Sequence, residues 1–337
     1  MQPTQPPSMS LFFDTANAFQ RTAAIKAAVE LKLFSAIAEG KDTPAALASH
    51  CKIAQRGARI LADYLTTLGF LTKHSDRYAL TPDTALFLND SSPAYIGNAI
   101  QFLCAPESLA GFADLTNRVR NGGAPKEDLA VTAAGQERWI DFARGMAGLM
   151  QLPAQLLAKL VLAGDTSPIK VLDIAASHGL FGIAFAMQNP NAKITALDWP
   201  AVLPVAKENA AKANVLPRFE TLPGNALEVD FGTNYDIILL PNFLHHFDAP
   251  TCERLLKKVH AALKPAGRAV TLEFIPNEDR ISPPTSATFP LVMLAHTAAG
   301  DAYTFKEFQQ MFKTAGFPHL IPSDLPPTFQ QVLIAQK

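Results

Sequence analysis

The sequence predicts two domains: a helical N-terminal domain that ends in a β-hairpin, and an α/β domain with a mostly parallel sheet. Three observations support this prediction. The chain has 337 residues, more than the roughly 100 to 200 residues of an average domain. Apolar residues recur at helical spacing through residues 15–88. From Ile169 onward, short apolar runs alternate with helical segments, as in strands joined by crossover helices that cover both faces of a sheet.

The N-terminal domain is predicted to contain three helical segments and a hairpin. AFQRTAAIKAAVELKLFSAIAEG predicts a helix that ends at Gly40, a residue suited to a helix C-terminus. TPAALASHCKI and QRGARILADYLTTLGF predict two shorter helices, and FLTKHSDRYALT predicts two strands around a polar turn. Three helices followed by a hairpin are typical of a winged helix.

A winged helix has two functional alternatives. In DNA binding, its third helix would offer Gln55, Arg56 and Arg59 to the major groove. The same helix becomes apolar from Ile60 onward, which favours subunit pairing. Fold alone does not decide between the two.

Composition and charge exclude several classes of protein. The net charge of -1 disfavours bulk attraction to polyanions or membrane surfaces. Cys51, Cys104 and Cys252 form no CxxC pair, which argues against a disulfide framework or a structural zinc site. The start MQPTQPPSMS lacks the pattern of a secretory signal, and no apolar run is expected to reach membrane-spanning length. These features predict a soluble cytoplasmic protein.

The α/β domain is expected to follow a connecting region. RNGGAPKEDLAVTAAG, residues 120–135, predicts a linker loop, and a long helical stretch covers residues 136–164. The runs KVLDIA, AKITALDW, YDIILL and RAVTLEF predict strands with helices between them. The helix TFKEFQQMFKTAGF and a final strand pair end the chain.

The loop after the first of these strands predicts a nucleoside site. Ligands of open α/β sheets bind beyond the carboxyl ends of the strands, where the strand order reverses. Here DIAASHG places Asp173, Ala175, Ser177 and Gly179 at alternate positions. The loop lacks the GxGxxG of a dinucleotide site, which disfavours a nicotinamide dehydrogenase. Its small residues still let a ligand approach the backbone, so a nucleoside without phosphates would suit it.

Three further strand ends carry polar residues. Asp198 in LDWP stands about 20 residues beyond Gly179, where an acid commonly binds ribose hydroxyls; the alternative is a helix N-cap. Asn225 in Gly224-Asn225-Ala226 either faces an adenine edge or forms an ordinary turn. Glu273 ends RAVTLEF, and a carboxylate at a buried strand end requires a partner. That partner is a cation at the sheet edge or a nearby histidine.

Two adjacent histidines, His245 and His246, follow YDIILL and precede Asp248, which can cap the next helix. Neighbouring side chains point about 100° apart on a helix and nearly opposite on a strand, so only one ring is expected to face the cleft. Metal ligands on a helix are spaced three or four residues apart, so no metal is predicted. General base chemistry remains for an imidazole here.

Together these residues resemble the S-adenosylmethionine-dependent O-methyltransferases of the plant caffeic acid and hydroxyindole type, with their bacterial relatives. The resemblance covers nearly the whole chain. Its motifs are FARGM, VLDIAASHG, LDWP, GNAL, FLHHFDAPTC, LEF, MLAH and GDAYTFKEF. It implies a class I methyltransferase: a Rossmann-like, mostly parallel seven-stranded sheet with an N-terminal all-helical winged-helix domain and its hairpin.

The resemblance also implies a domain division and partners. Residues 10–110 would form a winged-helix dimerisation domain and residues 111–337 the S-adenosylmethionine-binding domain, with residues 111–165 as linker and helices that close the substrate pocket. The implied partners are a small-molecule acceptor and a second copy of the chain, without nucleic acid or membrane.

Residue roles follow from the resemblance position by position. The match from His245 to Cys252 is ungapped and places the catalytic base at His245, with Glu273 as the carboxylate that orients it. His246 falls where the family often has Asp. The implied cofactor-binding residues are Asp173, Ala175, Ser177, Gly179, Asp198, Trp199, Asn225, Ala226 and Asn242. The implied substrate pocket contains Trp139, Phe142, Met146, His246, Phe289, Met293, Thr297 and Tyr303.

Several residues depart from the family pattern. Ala175, Ala176 and Ser177 replace a glycine triplet, and Pro241-Asn242 replaces a Lys-Trp pair. Ala302 stands where the plant enzymes carry a second base-flanking Glu, and Thr297 where they carry a substrate-binding Asn. The expected function is O-methylation of a small aromatic or conjugated hydroxyl compound in secondary metabolism. The alternatives are a cofactor-binding relative with non-methylating or C-methylating chemistry, and a winged-helix DNA-binding regulator.

Overall fold

The computed structural model describes residues 8–125 and 136–337. The chain divides into two compact units, Met1–Ala105 and Pro106–Lys337. Most of the linker expected at residues 120–135 lies outside the described residues, and its first part belongs to a helix that ends at Asn121.

The N-terminal unit has the predicted helices and hairpin. Its core contains fully buried Leu33, Leu47 and Leu65. The hairpin is antiparallel, with Leu71 opposite Leu80. Its elements are α1 (Ser10–Ala16), α2 (Ala18–Glu30), α3 (Leu33–Ala38), α4 (Pro44–Cys51), α5 (Gln55–Thr67), β1 (Leu71–His74), β2 (Arg77–Leu80), α6 (Pro82–Phe87) and α7 (Ala99–Leu103).

The helix predicted over residues 18–40 is broken in the structure. Lys32 has φ of +53°, in the left-handed region, and separates α2 from α3. The expected stop at Gly40 is present, where the backbone turns with φ of +81°. Nearly all residues of α3 are buried. Its apolar residues therefore continue the helical pattern of α2 across the break. The apolar pattern therefore does not reveal the bend.

The first helix of this unit has no buried residue within the single chain. Leu11 and Phe12 are 79% and 70% exposed, and Phe19 in α2 is similarly exposed. An exposed apolar surface of this kind marks an interaction site in soluble proteins.

The C-terminal unit contains a seven-stranded sheet. Its strand order is β5-β4-β3-β6-β7-β9-β8; the first five pair in parallel, and β9 runs antiparallel to β7 and β8. The predicted final strand pair is therefore confirmed. The strands are β3 (Ile169–Ile174), β4 (Ala192–Asp198), β5 (Phe219–Pro223), β6 (Tyr235–Leu239), β7 (Leu263–Glu273), β8 (His319–Asp324) and β9 (Gln331–Gln336).

Helices cover both faces of this sheet. Val171 of β3 packs into a core with the helices of residues 136–162, 180–188 and 203–212. Its neighbour Leu172 packs into a core with those of residues 249–262 and 305–314, as alternation along a strand requires. Asp248 caps α13 by accepting a hydrogen bond from the N–H of Thr251. The helices are α8 (Pro106–Ala113), α9 (Leu115–Asn121), α10 (Gln136–Leu162), α11 (Leu180–Gln188), α12 (Leu203–Lys212), α13 (Ala249–Ala262), α14 (Pro284–His296) and α15 (Phe305–Thr314).

One helix is long and apolar enough to span a membrane by length and composition alone: Arg138–Leu162, within α10. The expectation that no apolar run reaches this length is therefore wrong. Leu157 and Ala158 of this helix are completely buried in the core beside α11. A core helix of a globular domain passes the same test, so this helix is weak evidence for a membrane span.

Candidate active site

The polar residues identified at strand ends lie on neighbouring strands. The chain leaves β3 on one side to form β4 and returns on the other side as β6, which pairs with β7. The strand order therefore reverses at β3, the place where α/β sheets bind ligands. Asp173, Asp198 and Glu273 belong to the carboxyl ends of β3, β4 and β7, and His245 follows β6.

His245 and Glu273 form a buried pair. Nδ1 of His245 lies 2.6 Å from Oε2 of Glu273, and each residue is at most 5% exposed. The other carboxylate oxygen, Oε1, accepts hydrogen bonds from the backbone N–H groups of Phe243 and Leu244 at 3.1 and 3.0 Å. Both oxygens of a buried carboxylate are thus engaged, as burial requires. Two partners were expected for Glu273, a cation at the sheet edge or a nearby histidine. The structure shows the histidine.

The two histidine rings lie side by side. His245 and His246 belong to a short 3₁₀ turn, Leu244–His246, and their ring centroids are 4.4 Å apart. Neither the helix nor the strand geometry considered for adjacent side chains applies to this turn, which brings the two rings together. Burial, followed by the proximity of His245 and of Arg138, holds the pKa of His246 well below its usual value. His246 is therefore neutral at pH 7.

The loop after β3 adopts left-handed conformations at alternate residues. Ala175, Ser177 and Gly179 have φ of 55°, 52° and 75°. This region normally favours glycine, because an L side chain there costs roughly 1–2 kcal/mol. The positive φ accounts for glycine at position 179, whereas Ala175 and Ser177 carry a Cβ and are held in a strained conformation. Strained backbone of this kind persists where the surrounding structure holds it, often at ligand sites.

Asp198 is tied to this loop. Its Oδ2 accepts a hydrogen bond from the N–H of Ser177, and its Oδ1 accepts one from the N–H of Trp199, both at 2.7 Å. Burial raises the pKa of Asp198 to about 6 despite these two donors. The alternative of a helix N-cap does not hold, because α12 begins at Leu203 with Val202 as its N-cap.

Asp173 is completely buried. Its Oδ2 accepts a hydrogen bond from the N–H of Gly182 at 2.9 Å. Burial, with a smaller contribution from the charge of Asp198, raises the pKa of Asp173 to about 7. Within the described residues, its Oδ1 and the Oγ of Ser177 are buried without a hydrogen-bond partner. Two such atoms in one loop are a feature that a bound ligand can explain.

The remaining predicted cofactor residues make contacts within the protein. Asn225 forms a turn, with its Oδ1 accepting from the N–H of Leu227, and Ala226 is buried beside it. Asn242 accepts a hydrogen bond from Gln330 and contacts the sulfur of Met150 at 3.6 Å. Trp199 packs against a small apolar cluster that includes α10 residues.

Aromatic side chains surround the histidine pair. Trp139 of α10 meets His246 edge to face at a centroid distance of 5.7 Å and meets Phe142 at 5.5 Å. Phe289 of α14 meets His245 at 4.9 Å and stacks on Phe274. The structure thus brings part of the predicted pocket to the candidate base, from two different helices.

Three predicted pocket residues are buried in the protein. Thr297 donates a hydrogen bond to the carbonyl of Met293, which is itself buried in α14. Tyr303 lies in the core beneath α15, and its hydroxyl donates to the carbonyl of Phe247 at 2.6 Å. Met146 of α10 is half-buried.

Sequence reasoning missed two residues near the site. His178 is buried in the loop after β3, its Nδ1 accepts the N–H of Leu180, and burial lowers its pKa to about 4. Gly300 packs against the backbone of His245. A histidine beside Gly179 was a visible signal for the first, whereas Gly300 appeared only as the first residue of the motif GDAYTFKEF, which assigned it no role. Among the described residues, no group of three or more His, Cys, Asp or Glu is arranged to hold a metal ion.

Comparison with known proteins agrees with this architecture. A family model described as an O-methyltransferase domain matches residues 123–318, and one described as an O-methyltransferase dimerisation domain matches residues 13–90. A crystal structure from Nostoc punctiforme, provisionally described as an O-methyltransferase, is 52% identical with a TM-score of 0.93. It covers 99% of this chain and 100% of its own.

Two curated relatives have more specific names. The 3-hydroxy-5-methyl-1-naphthoate 3-O-methyltransferase of Streptomyces sahachiroi is 28% identical over 91% of this chain and 89% of its own. The L-tyrosine C(3)-methyltransferase of Streptomyces lavendulae is 26% identical over 94% of this chain and 86% of its own. Structures of the same fold, with 20–22% identity, contain S-adenosylmethionine or S-adenosylhomocysteine.

The order of the seven strands and the family match define a class I S-adenosylmethionine-dependent methyltransferase. The O-methyltransferase model spans more than half of the chain. The chain therefore belongs to the O-methyltransferase family, and it is an enzyme that uses S-adenosylmethionine. Its N-terminal unit is the family's dimerisation domain, which supports homodimer formation and favours subunit pairing over the DNA-binding alternative.

Proposed function

We propose that the protein methylates a phenolic hydroxyl of a small aromatic metabolite, with His245 as the general base. The observation that carries this proposal is the 2.6 Å contact between His245 Nδ1 and Glu273 Oε2. A base held by a second group that is itself fixed is the arrangement that proton abstraction requires.

Glu273 sets the orientation of the base. Two backbone N–H groups hold its Oε1, so Oε2 is directed at the imidazole. Nδ1–H of His245 then donates to Oε2, and Nε2 carries the lone pair. No hydrogen bond within the described residues occupies Nε2. It is therefore available to take the proton of an acceptor hydroxyl.

The residues at the ends of β3 and β4 fit the cofactor. The unpartnered Oδ1 of Asp173 and Oγ of Ser177 suit a ligand rich in hydroxyl and amino groups. The carboxylate of Asp198 uses one backbone donor per oxygen, which leaves lone pairs to accept ribose hydroxyls. We assign the adenine side to Asn225 and Ala226. When bound, S-adenosylmethionine supplies an electrophilic sulfonium methyl, so the protein's task is alignment and proton removal.

The acceptor is proposed to be aromatic because aromatic rings line the base. Trp139 and Phe142 contribute from α10, and Phe289 contributes from α14. Aromatic pocket walls with a polar group among them, here the proposed base, are typical of small-molecule sites. The relatives named above act on a hydroxynaphthoate and on tyrosine, both of which carry a phenolic hydroxyl.

A second candidate is methyl transfer to a ring carbon. The L-tyrosine C(3)-methyltransferase favours it, because removal of the phenolic proton by a base also activates the neighbouring ring carbon. Both candidates use His245 in the same way. They differ in the bond formed, which the product reveals.

We further propose that the enzyme acts in the cytoplasm as a homodimer. The three cysteines are free, which agrees with a reducing compartment. The exposed apolar residues of α1 and α2, including Leu11 and Phe12, would be covered by a second copy.

The test is an acceptor screen with purified protein and S-adenosylmethionine. Naphthols, hydroxynaphthoates, hydroxyindoles and tyrosine are incubated in turn, and S-adenosylhomocysteine is quantified. Carbon-13 NMR of the product, made with a labelled methyl donor, separates O-methyl from C-methyl carbon. Conversion of a phenol without S-adenosylhomocysteine would contradict methyl transfer. Replacement of His245 by Ala should reduce turnover by roughly 10² to 10⁴, and full activity in that variant would contradict its role as the base.

A further inference from the structure

The 3₁₀ turn that carries His245 is weakly held by its own backbone. The N–H of His246 donates to the carbonyl of Phe243 at 3.3 Å, and the N–H of Phe247 donates to Leu244 at 3.2 Å. Both distances are at the long end for such bonds, as the poor geometry of a 3₁₀ turn leads one to expect. Glu273 holds the start of the turn through Phe243 and Leu244. The end of the turn requires a different support.

The segment after α14 packs against that end. A Cβ atom built at Gly300 would lie 2.3 Å from the carbonyl oxygen of His245 and 2.9 Å from the carbonyl carbon of His246. Both contacts are with backbone atoms, which cannot swing aside as a flexible side chain can. Only a residue without a side chain fits between this segment and the turn.

Thr297 fixes Gly300 in this position. Its Oγ1 accepts a hydrogen bond from the N–H of Gly300 at 2.8 Å and donates to the carbonyl of Met293 at 2.7 Å. The side chain is buried. One hydroxyl therefore links the last turn of α14 to the glycine that touches the histidine backbone.

Tyr303 holds the far end of the same turn. Its hydroxyl donates to the carbonyl of Phe247 at 2.6 Å, and its ring packs on Phe308 in the core. Ala302 between these contacts is buried and carries no group that could bond to the base. The support from this side is thus made by shape and by backbone hydrogen bonding, without a second carboxylate.

We infer that residues 297–303, here called the brace, position His245 for catalysis. Gly300, Thr297 and Tyr303 are positioning residues. Gly300 and Tyr303 contact the backbone of the histidine turn, Thr297 holds Gly300, and all three act on the acceptor only through His245. The inference rests on the proposed role of His245 as the base. It also links α14, which contributes Phe289 beside the His245 ring, to the geometry of the base.

The test compares two Gly-to-Ala variants of the full-length protein. Gly300→Ala adds a methyl group that must displace the turn. Gly57→Ala adds one on α5, where a Cβ meets no atom within 4 Å, and serves as the matched control. The first readout is the low-field proton NMR signal of the short His245–Glu273 hydrogen bond, assigned by its loss in His245→Ala. The second is S-adenosylmethionine affinity by calorimetry.

The expected result is a shift or loss of the low-field signal in Gly300→Ala, with S-adenosylmethionine affinity within about twofold of the unaltered protein. With 1-naphthol as the acceptor, kcat should fall by roughly 10²-fold, the effect of about 1 Å of misplacement. The defect should be much smaller with 4-nitro-1-naphthol, which is already ionised at neutral pH and needs no base. Gly57→Ala should retain the signal and the affinity. An unchanged low-field signal in Gly300→Ala would overturn the inference.

Two further variants add no volume, so they test the inference even if Gly300→Ala does not fold. Thr297→Val removes one hydroxyl and should weaken the signal, whereas Thr297→Ser should restore it. Tyr303→Phe removes the bond to Phe247 and should have an effect in the same direction. If both Thr297→Val and Tyr303→Phe left the signal unaltered, the brace would have no positioning role. Failure of the proposed function is distinct, because it would appear as a His245→Ala variant with full activity.

Discussion

Glu273 holds His245 from a neighbouring parallel strand. Glu273 is the last residue of β7, and His245 lies six residues beyond the end of β6, so the 2.6 Å contact between them joins two adjacent strand ends. Glu273 is fixed by its place at the end of β7, whereas His245 lies on a turn. The geometry of the proposed base therefore depends on both the strand end that carries Glu273 and the packing of the turn.

Replacing Glu273 by Gln tests this relationship. An amide keeps the volume and one acceptor oxygen, but its NH₂ group would face Nδ1–H or the two backbone donors. At least one buried donor then lacks an acceptor, which costs roughly 1–3 kcal/mol for each such donor. We expect a lower urea midpoint, and turnover reduced by roughly 10² or more because the imidazole loses its fixed tautomer. A variant with unchanged turnover would show that Glu273 serves folding alone.

The left-handed loop after β3 gives a second prediction. Gly179→Ala adds a methyl group 2.9 Å from the Cβ of Ala206 at φ of +75°, whereas Gly164→Ala meets open space at φ of +85°. The control should lose only about 1 kcal/mol of folding stability, the penalty for a side chain in the left-handed conformation. Gly179→Ala should lose a further 1–3 kcal/mol or so from overpacking and should bind S-adenosylmethionine more weakly. Urea unfolding and calorimetry measure both, and equal losses of stability would contradict the clash.

The buried Asp173 predicts a pH dependence in the absence of cofactor. Its pKa is about 7 in the folded protein, above the value near 4 of an unfolded chain. The folded state therefore keeps this proton to higher pH than the unfolded state does. Folding stability associated with Asp173 should fall as pH rises from about 4 to 7, by roughly 1.4 kcal/mol per unit of pKa shift.

The comparison with Asp173→Asn isolates this effect from other titrating groups. His178 acts in the opposite sense: its folded pKa of about 4 lies below the usual 6.5, so its contribution is lost as pH falls through that range. Urea midpoints of the two proteins should therefore diverge above pH 5, with Asp173→Asn gaining relative stability. Parallel midpoints from pH 4 to 8 would contradict the raised pKa.

His246 is predicted to shape acceptor binding. Its neutral ring meets Trp139 edge to face and lies beside the ring of His245. Aromatic pairs of this kind contribute about 0.5–1.5 kcal/mol, so His246→Ala should raise the KM of an aromatic acceptor by roughly 2- to 10-fold. His246→Phe keeps a ring and should retain most of the affinity. If kcat fell sharply while KM stayed constant, His246 would belong to the chemistry and not to binding.

The sequence predicted the layers of the fold because periodicity reports which side of an element is buried. The alternation of strands and helices after Ile169, the winged helix and the final strand pair are all present. The break at Lys32 was not predictable, since a lysine in the left-handed region leaves no composition signal. The helix over residues 284–296 was not assigned either, because prolines at its start and within it interrupt the helical pattern.

The site was predicted unevenly for a similar reason. Strand-end logic identified Asp173, Asp198 and Glu273, because residues at the carboxyl ends of parallel strands share one edge. The geometry of the histidine pair was not predicted, since only helix and strand geometries were considered and a 3₁₀ turn places the adjacent rings 4.4 Å apart. Gly300 was not identified at all. A side chain at this position would collide with the backbone of His245, and such a three-dimensional contact cannot be read from a sequence.

The location of the base and its partner separates two kinds of change open to this protein over evolutionary time. Glu273 ends β7 and His245 lies on the turn that follows β6, whereas Trp139 and Phe289 belong to α10 and α14. Substitutions at those two ring positions can alter which molecule is accepted without rebuilding the machinery that deprotonates it. A lineage with this architecture can therefore acquire new substrates by altering the walls of the pocket while the sheet stays as it is.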